Sequence, residues 1–235
     1  MPRHDWSASS LRSTRSLLID GALTPDFNGR GLPTHKEEWR RRLGLTKEKQ
    51  IGLLLGGSTR GVTLTPGDVR HVVQGLLSAA DRLDAELLIT SSRRTPPSIE
   101  GWLRENLKNH PRCRLLVLVN NGDVGPLETA GQAVPCIFDL AQAVVASGDS
   151  ISMVSEAAAR LKHVVSFLPR TNGSLLGRRK YHRFLQELDS KGRVMFVMPE
   201  EVGEAVVKTF EKMEAAHSPI PNESDPVVEY LVQWL

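Results

Sequence analysis

Short apolar runs alternate with amphipathic stretches from residue 51 onward. The segment "IGLLLGG" is a continuous apolar run that ends in glycines, which is typical of a strand buried on both faces. The next segment, "TPGDVRHVVQGLLSAADRL", predicts a helix with Thr65 as N-cap, Pro66 at the first helical position and Asp68 at N3. Its predicted core stripe, at helical spacing, consists of Val69, Val72, Val73, Leu76, Leu77 and Ala80.

The same alternation continues along the rest of the chain. The further predicted strands are "ELLITSS", "RLLVLVNN", "AVVASG", "VVSFLP" and "RVMFVM". The further predicted helices are "PPSIEGWLRENLKN" with Thr95 as its cap, a short turn at "VPCIFDLA", residues 151–162, "RRKYHRFLQELDSK" and "PEEVGEAVVKTFEKMEAA". Right-handed βαβ units follow, so the pattern predicts an α/β, Rossmann-like fold with a mainly parallel sheet of about six strands and helices on both faces.

Residues 1–45 do not follow this alternation. We expect them to be a connector, or the remnant of an N-terminal domain that is missing from the chain, while residues 46–235 form the Rossmann-like domain. Within the first part, "SLLIDGALTPDF" predicts a strand and a turn, and "HKEEWRRRLGL" predicts a short helix. The Ser- and Arg-rich start fits either an exposed polar leader or an organelle transit peptide.

Composition excludes several classes of protein. The 235 residues are 40% hydrophobic and 24% charged, which suffices for a real core. The net charge of +3 is mild, and no basic stripe with interleaved aromatic residues points to nucleic-acid binding. Cys113 and Cys136 fit neither a disulfide framework nor a metal site. No apolar run reaches the ~20 residues of a membrane span. Because the two cysteines point to a reducing compartment, we predict a cytoplasmic protein, with peripheral membrane attachment and organelle targeting left open.

Candidate chemistry gathers where the predicted strands end. Parallel sheets bind ligands beyond the carboxyl ends of their strands, where the N-termini of the following helices also lie. Glycines, hydroxyls and arginines recur there, and all of them favour a bound phosphate. The candidate ligand residues are Gly56, Gly57, Ser58, Thr59, Ser92, Arg93, Arg94, Thr95, Asp149, Ser150, Ser152, Ser155, Glu156 and Arg170. The alternative is that each loop has ordinary turn chemistry and that its arginines are solvated.

The segment "SGDSISMVSEAAARLK" concentrates polar residues at a predicted helix start. Asp149 or Ser150 is expected to cap the first turn. Ser152, Ser155 and Glu156 share a face by their spacing, and we expect this face to line the crevice above the sheet. Hydroxyls and backbone N–H groups suit a diphosphate there, and a carboxylate suits ribose hydroxyls. The alternative is a Ser-rich helix start with an exposed glutamate near the positive end of the helix dipole.

Several well-known sites are excluded by their motifs. The sequence contains neither Gly-x-Gly-x-x-Gly nor a P-loop, so a nicotinamide site and a P-loop nucleotide site are not predicted. It contains no Gly-x-Ser-x-Gly elbow. Its seven histidines show no metal-ligand spacing, and no metal is predicted.

Three of these segments carry a resemblance to a known family. "IGLLLGGSTRGVTLT", "LLITSSRRTPPSIE" and "VVASGDSISMVSEAAARLKHVVSFLP" resemble, in this order, segments of the mitochondrial fission "elongated mitochondria" family, also met as a bacterial domain of unknown function. The start "PRHDWSASSLRSTRSLLIDGAL" resembles the family's P-x-H-D loop and T-x-G-A-L turn. The chain departs from the family in one place, because "VGPLETAGQAVPCIFDLAQ" stands where the family usually carries G-x-N-P-Y.

The resemblance implies a GT-B-like architecture of two Rossmann-like domains, of which this chain matches the C-terminal, nucleotide-sugar-binding type. It places Ser150, Ser152 and Ser155 near a diphosphate, Glu156 near ribose and the loop before "CIFDLAQA" near the base. The expected function is binding of a nucleotide diphosphate or nucleotide sugar, as part of a glycosyltransferase if the chain is active, with no cofactor required.

Two alternatives stay open. The family resemblance also implies a non-catalytic adaptor that recruits a dynamin-related partner, in which case "VVEYLVQWL" could dock a partner protein or the missing domain. The other alternative is a divergent remnant that retains only the fold.

Overall fold

The computed structural model describes residues 35–161, 163–169 and 175–213. The helices are α1 (Lys36–Leu43), α2 (Pro66–Leu83), α3 (Pro97–Leu107), α4 (Ala133–Leu140), α5 (Ile151–Arg160), α6 (Leu175–Ser190) and α7 (Val202–Lys212). The strands are β1 (Lys49–Leu54), β2 (Ala85–Thr90), β3 (Cys113–Val117), β4 (Ala143–Ser147), β5 (Val164–Phe167) and β6 (Met195–Val197). Single turns of 3₁₀ helix lie at Val119–Asn121, Ala130–Gln132 and Pro199–Glu201.

The six strands form one parallel sheet in the order β3-β2-β1-β4-β5-β6. This is the strand order of a Rossmann fold, so the predicted fold class is confirmed. The chain turns from one half of the sheet to the other between β1 and β4, which are hydrogen-bonded neighbours, with Ile51 opposite Ala143. In such sheets the crevice beyond the carboxyl ends at this switch point is where ligands bind.

Two hydrophobic cores lie on opposite faces of the sheet. The first is formed with α1, α4, α5 and α6, and the second with α2, α3 and α7. Successive residues of β1 alternate between them, since Leu53 belongs to the second core and Leu54 to the first. Both faces are therefore covered, which explains why the strands read as continuous apolar runs.

Helix α2 begins as the sequence predicts. The Thr65 hydroxyl accepts a hydrogen bond from the Asp68 N–H at 3.1 Å, and the Asp68 carboxylate accepts one from the Thr65 N–H at 3.2 Å. Pro66 occupies the first turn. The predicted core stripe is buried except for Leu77, which is partly buried against the same core.

Two other helix predictions need correction. Thr95 does not cap α3, whose N-cap is Pro96, because the Thr95 hydroxyl bonds to the loop after β1 instead. Helix α5, predicted to extend to residue 162, ends at Arg160. The backbone of Leu161 is already in the extended conformation.

Helices α2 and α7 cross where each carries a glycine. A Cβ at Gly203 would lie 2.5 Å from the carbonyl oxygen of Gly75, and a Cβ at Gly75 would lie 3.0 Å from the Gly203 nitrogen. The two backbones therefore touch directly, and a larger residue at either position would push the helices apart.

The short helix predicted within residues 1–45 is α1, which packs on α4. Three predicted features fall outside the described residues: the strand and turn at residues 16–27, the loop that contains Arg170 and the C-terminal amphipathic stretch. Over the ranges that the structure describes, none of the helices has the length and apolarity needed to cross a membrane.

Candidate functional site

Three loops meet at the carboxyl edge of the sheet, after β1, β2 and β4. The N–H of Gly56 donates to the Ser147 hydroxyl at 2.6 Å, which joins the end of β1 to the end of β4. The carbonyl oxygen of Gly56 accepts from the Ser92 hydroxyl at 2.9 Å and from the Thr95 hydroxyl. The Gly-Gly turn is thus held from both sides, and three of the predicted residues, Gly56, Ser92 and Thr95, lie together.

The loop after β2 is fixed by its own hydroxyls. The Thr95 hydroxyl accepts from the Ser92 N–H at 2.9 Å, while the Ser92 hydroxyl accepts from the Arg94 N–H at 3.3 Å. Thr95 is buried and Ser92 half-buried. These two hydroxyls therefore shape the loop, and they are engaged within the protein.

Gly57 lies at the closest approach between the loops. Its N–H donates to Asp149 Oδ2 at 2.8 Å. A Cβ at this position would overlap the backbone carbonyl group of Arg94. Only glycine fits without moving the β2 loop, so the Gly-Gly sequence reflects this contact and not turn geometry alone.

Asp149 is the buried charge of the site. Its side chain is 0% exposed, and Oδ2 lies 3.2 Å from Arg94 Nη2, whose side chain is 42% exposed. The second oxygen, Oδ1, has no hydrogen-bond partner among the described residues. Burial raises the pKa of Asp149, and the Gly57 N–H, the Ser147 hydroxyl and Arg94 lower it in part. A carboxylate with an incompletely compensated charge thus sits at the centre of the three loops.

Helix α5 begins two residues after Asp149 and lacks a side-chain cap. Ser150 is the N-cap, but its side chain makes no capping hydrogen bond. The prediction that Asp149 or Ser150 caps this helix is therefore wrong, because the Asp149 carboxylate is drawn to Gly57 and Arg94. The first N–H groups of a helix have no partner within it, so the start of α5 retains donors and the positive end of its dipole.

The polar residues of α5 differ in accessibility. Ser152 is exposed, Ser155 is 7% exposed, and the Glu156 side chain is 29% exposed. Glu156 lies 3.1 Å from Arg160 one turn further along the helix. Of the three residues expected on one face, Ser152 is the most open to solvent.

The remaining candidate residues also differ in accessibility. Ser58 and Arg93 are exposed at the rim. Thr59 closes its own turn, since its hydroxyl accepts from the Val62 N–H at 3.2 Å. Arg170 falls outside the described residues.

Two buried residues that support the site did not emerge from the sequence. Ser147 is the last residue of the apolar strand β4, and a lone serine at the strand end was the available signal. Glu100 is 0% exposed and accepts from the Ser91 hydroxyl at 2.6 Å and from the N–H groups of Asn120 and Asn121 at 3.1 and 3.0 Å. It links the loop after β3 to the loop after β2. A glutamate within a helix gives no sign of such contacts in the sequence.

Throughout the described part of the chain, no three His, Cys, Asp or Glu side chains are grouped so that they could hold a metal ion. Burial raises the pKa of both Cys113 and Cys136 to about 12, so neither thiol is an activated nucleophile.

Comparison with solved structures gives likenesses at low sequence identity. WaaG, described as a glycosyltransferase involved in lipopolysaccharide biosynthesis, matches with a TM-score of 0.49 at 14% identity, over 83% of this chain and 47% of WaaG. The Methanocaldococcus jannaschii UDP-GlcNAc 2-epimerase, in complex with UDP-GlcNAc and UDP, matches with a TM-score of 0.49 at 16% identity, over 84% of this chain and 49% of the epimerase. A putative UDP-N-acetylglucosamine 2-epimerase from Listeria monocytogenes matches with a TM-score of 0.49 at 12% identity, over 92% of this chain and 52% of that protein. The chain spans about half the length of these proteins.

Comparison of sequences gives one family. The sequence pattern of the family described as Mitochondrial fission ELM1 matches residues 1–219. Among curated proteins, none matches this chain.

Proposed function

The chain belongs to the mitochondrial fission ELM1 family, and from this premise we propose that its Rossmann-like domain binds a nucleotide diphosphate or a nucleotide sugar. The observation that carries the proposal is the uncapped start of α5, which lies between the ends of β1 and β4 beside Arg94. A helix start with unsatisfied N–H groups at the switch point of a parallel sheet is a favourable place for a phosphate.

In this proposal the diphosphate lies on the first turn of α5. The backbone N–H groups there and the hydroxyls of Ser150 and Ser152 are the donors. Arg94 and Arg93, both exposed at the end of β2, supply positive charge at the rim. Gly57 contributes indirectly, because its N–H binds the Asp149 carboxylate and so keeps it from capping the helix.

The ribose is proposed to lie one turn further along α5. Glu156 is half-exposed there, and a carboxylate suits the paired hydroxyls of a ribose. Its partner Arg160 also lies 5.2 Å from the ring centroid of Phe138, which anchors the guanidinium on α4 and holds the carboxylate in place. If the protein is active, this site serves a glycosyltransferase as its donor site, and no residue of this chain is assigned as the catalytic base.

A charge placed on α5 tests the proposal. Ser152→Glu adds a carboxylate in the first turn, which favours the helix itself because the dipole is positive there. It repels a phosphate at the same spot, so we expect binding to weaken by a factor of at least about 10. Ser78→Glu, at an exposed position within α2, is the matched control.

The measurement is isothermal titration calorimetry, with thermal shift as a second readout, using UDP, GDP, ADP and CMP-sugars. We expect at least one of these ligands to bind the wild type and the Ser78→Glu variant with similar affinity, and to bind Ser152→Glu at least about 10-fold more weakly. A well-folded wild type that binds none of them overturns the proposal.

A second candidate function rests on the family description. A mitochondrial fission family favours a non-catalytic adaptor that recruits a dynamin-related partner. This function predicts no response to nucleotides and capture of a purified dynamin-related protein that survives Glu156→Ala. Loss of capture in that variant, or no capture by the wild type, counts against the adaptor.

A further inference from the structure

Asp149 places a negative charge next to the proposed phosphate position. We propose that Asp149 makes the site select a nucleotide sugar over a free nucleoside diphosphate, an inference that rests on the proposed nucleotide site. The carboxylate would act as a selectivity determinant, because it penalises the additional charge that a terminal phosphate carries.

The carboxylate is buried but only partly compensated. Oδ2 accepts from the Gly57 N–H at 2.8 Å and lies 3.2 Å from Arg94 Nη2. The Arg94 side chain is 42% exposed, so solvent screens its charge. Oδ1 has no hydrogen-bond partner among the residues described. The Gly57 N–H, the Ser147 hydroxyl and Arg94 favour the charged carboxylate but do not outweigh its burial, so its negative charge is only partly compensated within the protein.

This charge lies close to the donors that would hold the ligand. Asp149 precedes Ile151, the first residue of α5, by two positions, so their Cα atoms are at most about 7 Å apart. The carboxylate cannot leave this position freely, because it is fixed by Gly57 and covered on all sides. A phosphate on the first turn of α5 would thus always have Asp149 as a neighbour.

The two ligand classes differ in charge at this point. In a nucleotide sugar both phosphates are esterified on each side, and each carries a single charge. In a nucleoside diphosphate the terminal phosphate is free, and since its second pKa is about 6 it carries nearly two charges at neutral pH. A neighbouring carboxylate repels the second ligand more strongly, which is selection by penalising the competitor.

A different role for Asp149 makes a different prediction. If the carboxylate only positions Arg94, its removal loosens the guanidinium and weakens both ligands to the same extent. If it acts as a selectivity determinant, removing its charge changes the ratio of the two affinities. The ratio therefore separates the two roles.

The experiment is calorimetry of wild type and Asp149→Asn with UDP and UDP-N-acetylglucosamine, and with GDP and GDP-mannose. Asn keeps an oxygen that can accept from the Gly57 N–H. For the pair that binds, we expect the variant to bind the diphosphate about 3- to 10-fold more tightly and the nucleotide sugar within about 2-fold of wild type. Asp81→Asn is the control, since it removes the same charge from a 68% exposed side chain at the end of α2 remote from the site.

A second measurement needs no variant. UDP and GDP carrying one methyl group on the terminal phosphate lose the additional charge without gaining a sugar, and we expect wild type to bind the capped form of the ligand that it recognises more tightly than the uncapped form. This decides the question if Asp149→Asn does not fold.

The outcomes are distinct. An unchanged affinity ratio in a folded Asp149→Asn, an equal loss for both ligands, or a wild type that prefers the uncapped diphosphate overturns the selectivity role. If wild type binds none of these nucleotides, the proposed function itself fails.

Discussion

Helices α2 and α5 begin at the same edge of the sheet but in opposite ways. Helix α2 follows β1, and Thr65 and Asp68 satisfy each other's backbone N–H groups across three residues. Helix α5 follows β4, and Ser150 makes no capping bond with its side chain. The carboxylate next to it bonds instead to Gly57, which lies 92 positions away in the sequence.

This difference separates a structural helix start from one that is available to a ligand. At α2 local side chains take up the N–H groups of Thr65 and Asp68, and Pro66 has no N–H to offer, so few donors are left for an anion. At α5 the nearest acceptor is committed to another loop, and within the described residues the N-cap side chain makes no bond to the first turn. A buried, incompletely satisfied group beside an uncapped helix calls for a functional explanation.

The largest effect is expected at the glycine that holds Asp149 away from α5. In Gly57→Ala the new Cβ would overlap the backbone of Arg94, so the β2 loop must move. We expect the free energy of unfolding to fall by about 3 kcal/mol, as in overpacked cores. Urea denaturation measures it.

Gly67→Ala in the first turn of α2 is the matched control. There the Cβ would meet only the Thr65 hydroxyl at 3.7 Å, an ordinary contact. Alanine is the better helix former, so we expect a gain of about 0.5 kcal/mol. Equal effects of the two substitutions would show that the two helix starts do not differ in this respect.

The next effect concerns the threonine that does not cap its helix. Thr95→Val keeps the shape but removes the hydroxyl that bonds to the Gly56 carbonyl and the Ser92 N–H. Leaving these groups unsatisfied should cost about 2 kcal/mol in denaturant unfolding.

The control for this substitution is Thr209→Val in α7. The Thr209 hydroxyl donates to the Ala205 carbonyl within its own helix at 2.7 Å. That carbonyl is already a helix acceptor, so the loss should be well below that at Thr95. A cost at Thr209 as large as at Thr95 would contradict the role assigned to the β2 loop.

A smaller effect tests the two caps directly. Thr65→Ala removes the capping box of α2 and should lower the free energy of unfolding by about 1 kcal/mol. Ser150→Ala removes no capping bond from α5, so its cost should be within about 0.3 kcal/mol of zero, below the range for a true cap. Guanidinium denaturation of both variants measures these costs. If Ser150→Ala costs as much as Thr65→Ala, Ser150 caps α5 in solution.

The smallest effect is expected in the pH dependence of the free energy of unfolding. Burial raises the folded-state pKa of Asp149 above its usual value of 3.8, so the folded protein retains this proton longer than the unfolded chain does. The stabilisation from this group is therefore complete below that usual value and is lost as the pH rises through the folded-state pKa. Wild type should lose stability relative to Asp149→Asn over this window in urea melts, and a constant difference would contradict the raised pKa.

The sequence predicted the features that depend on neighbours in the chain. Apolar runs and helical stripes predicted the order of strands and helices, because burial on both faces of the sheet leaves a local pattern. The cap of α2 was predictable because Thr65 and Asp68 are three residues apart. The β1, β2 and β4 loops were predicted to meet at one edge from the rule for parallel strands alone.

The remaining features depend on partners that are distant in the sequence. Thr95 and Asp149 both have the residue type of a cap and the position of one, yet their acceptors and donors lie on the loop after β1. Ser147 and Glu100 act in the same way through contacts between loops. Such partners emerge only when the sheet has brought the loops together.

The glycine crossing of α2 and α7 has a consequence for how the protein is made. Gly75 and Gly203 are in direct backbone contact although 128 residues separate them. At about 5 to 20 residues per second, a ribosome needs roughly 6 to 26 seconds to proceed from one glycine to the other. During that time the side of α2 that faces α7 stays uncovered, which leaves it open to proteases and to wrong contacts until α7 leaves the exit tunnel.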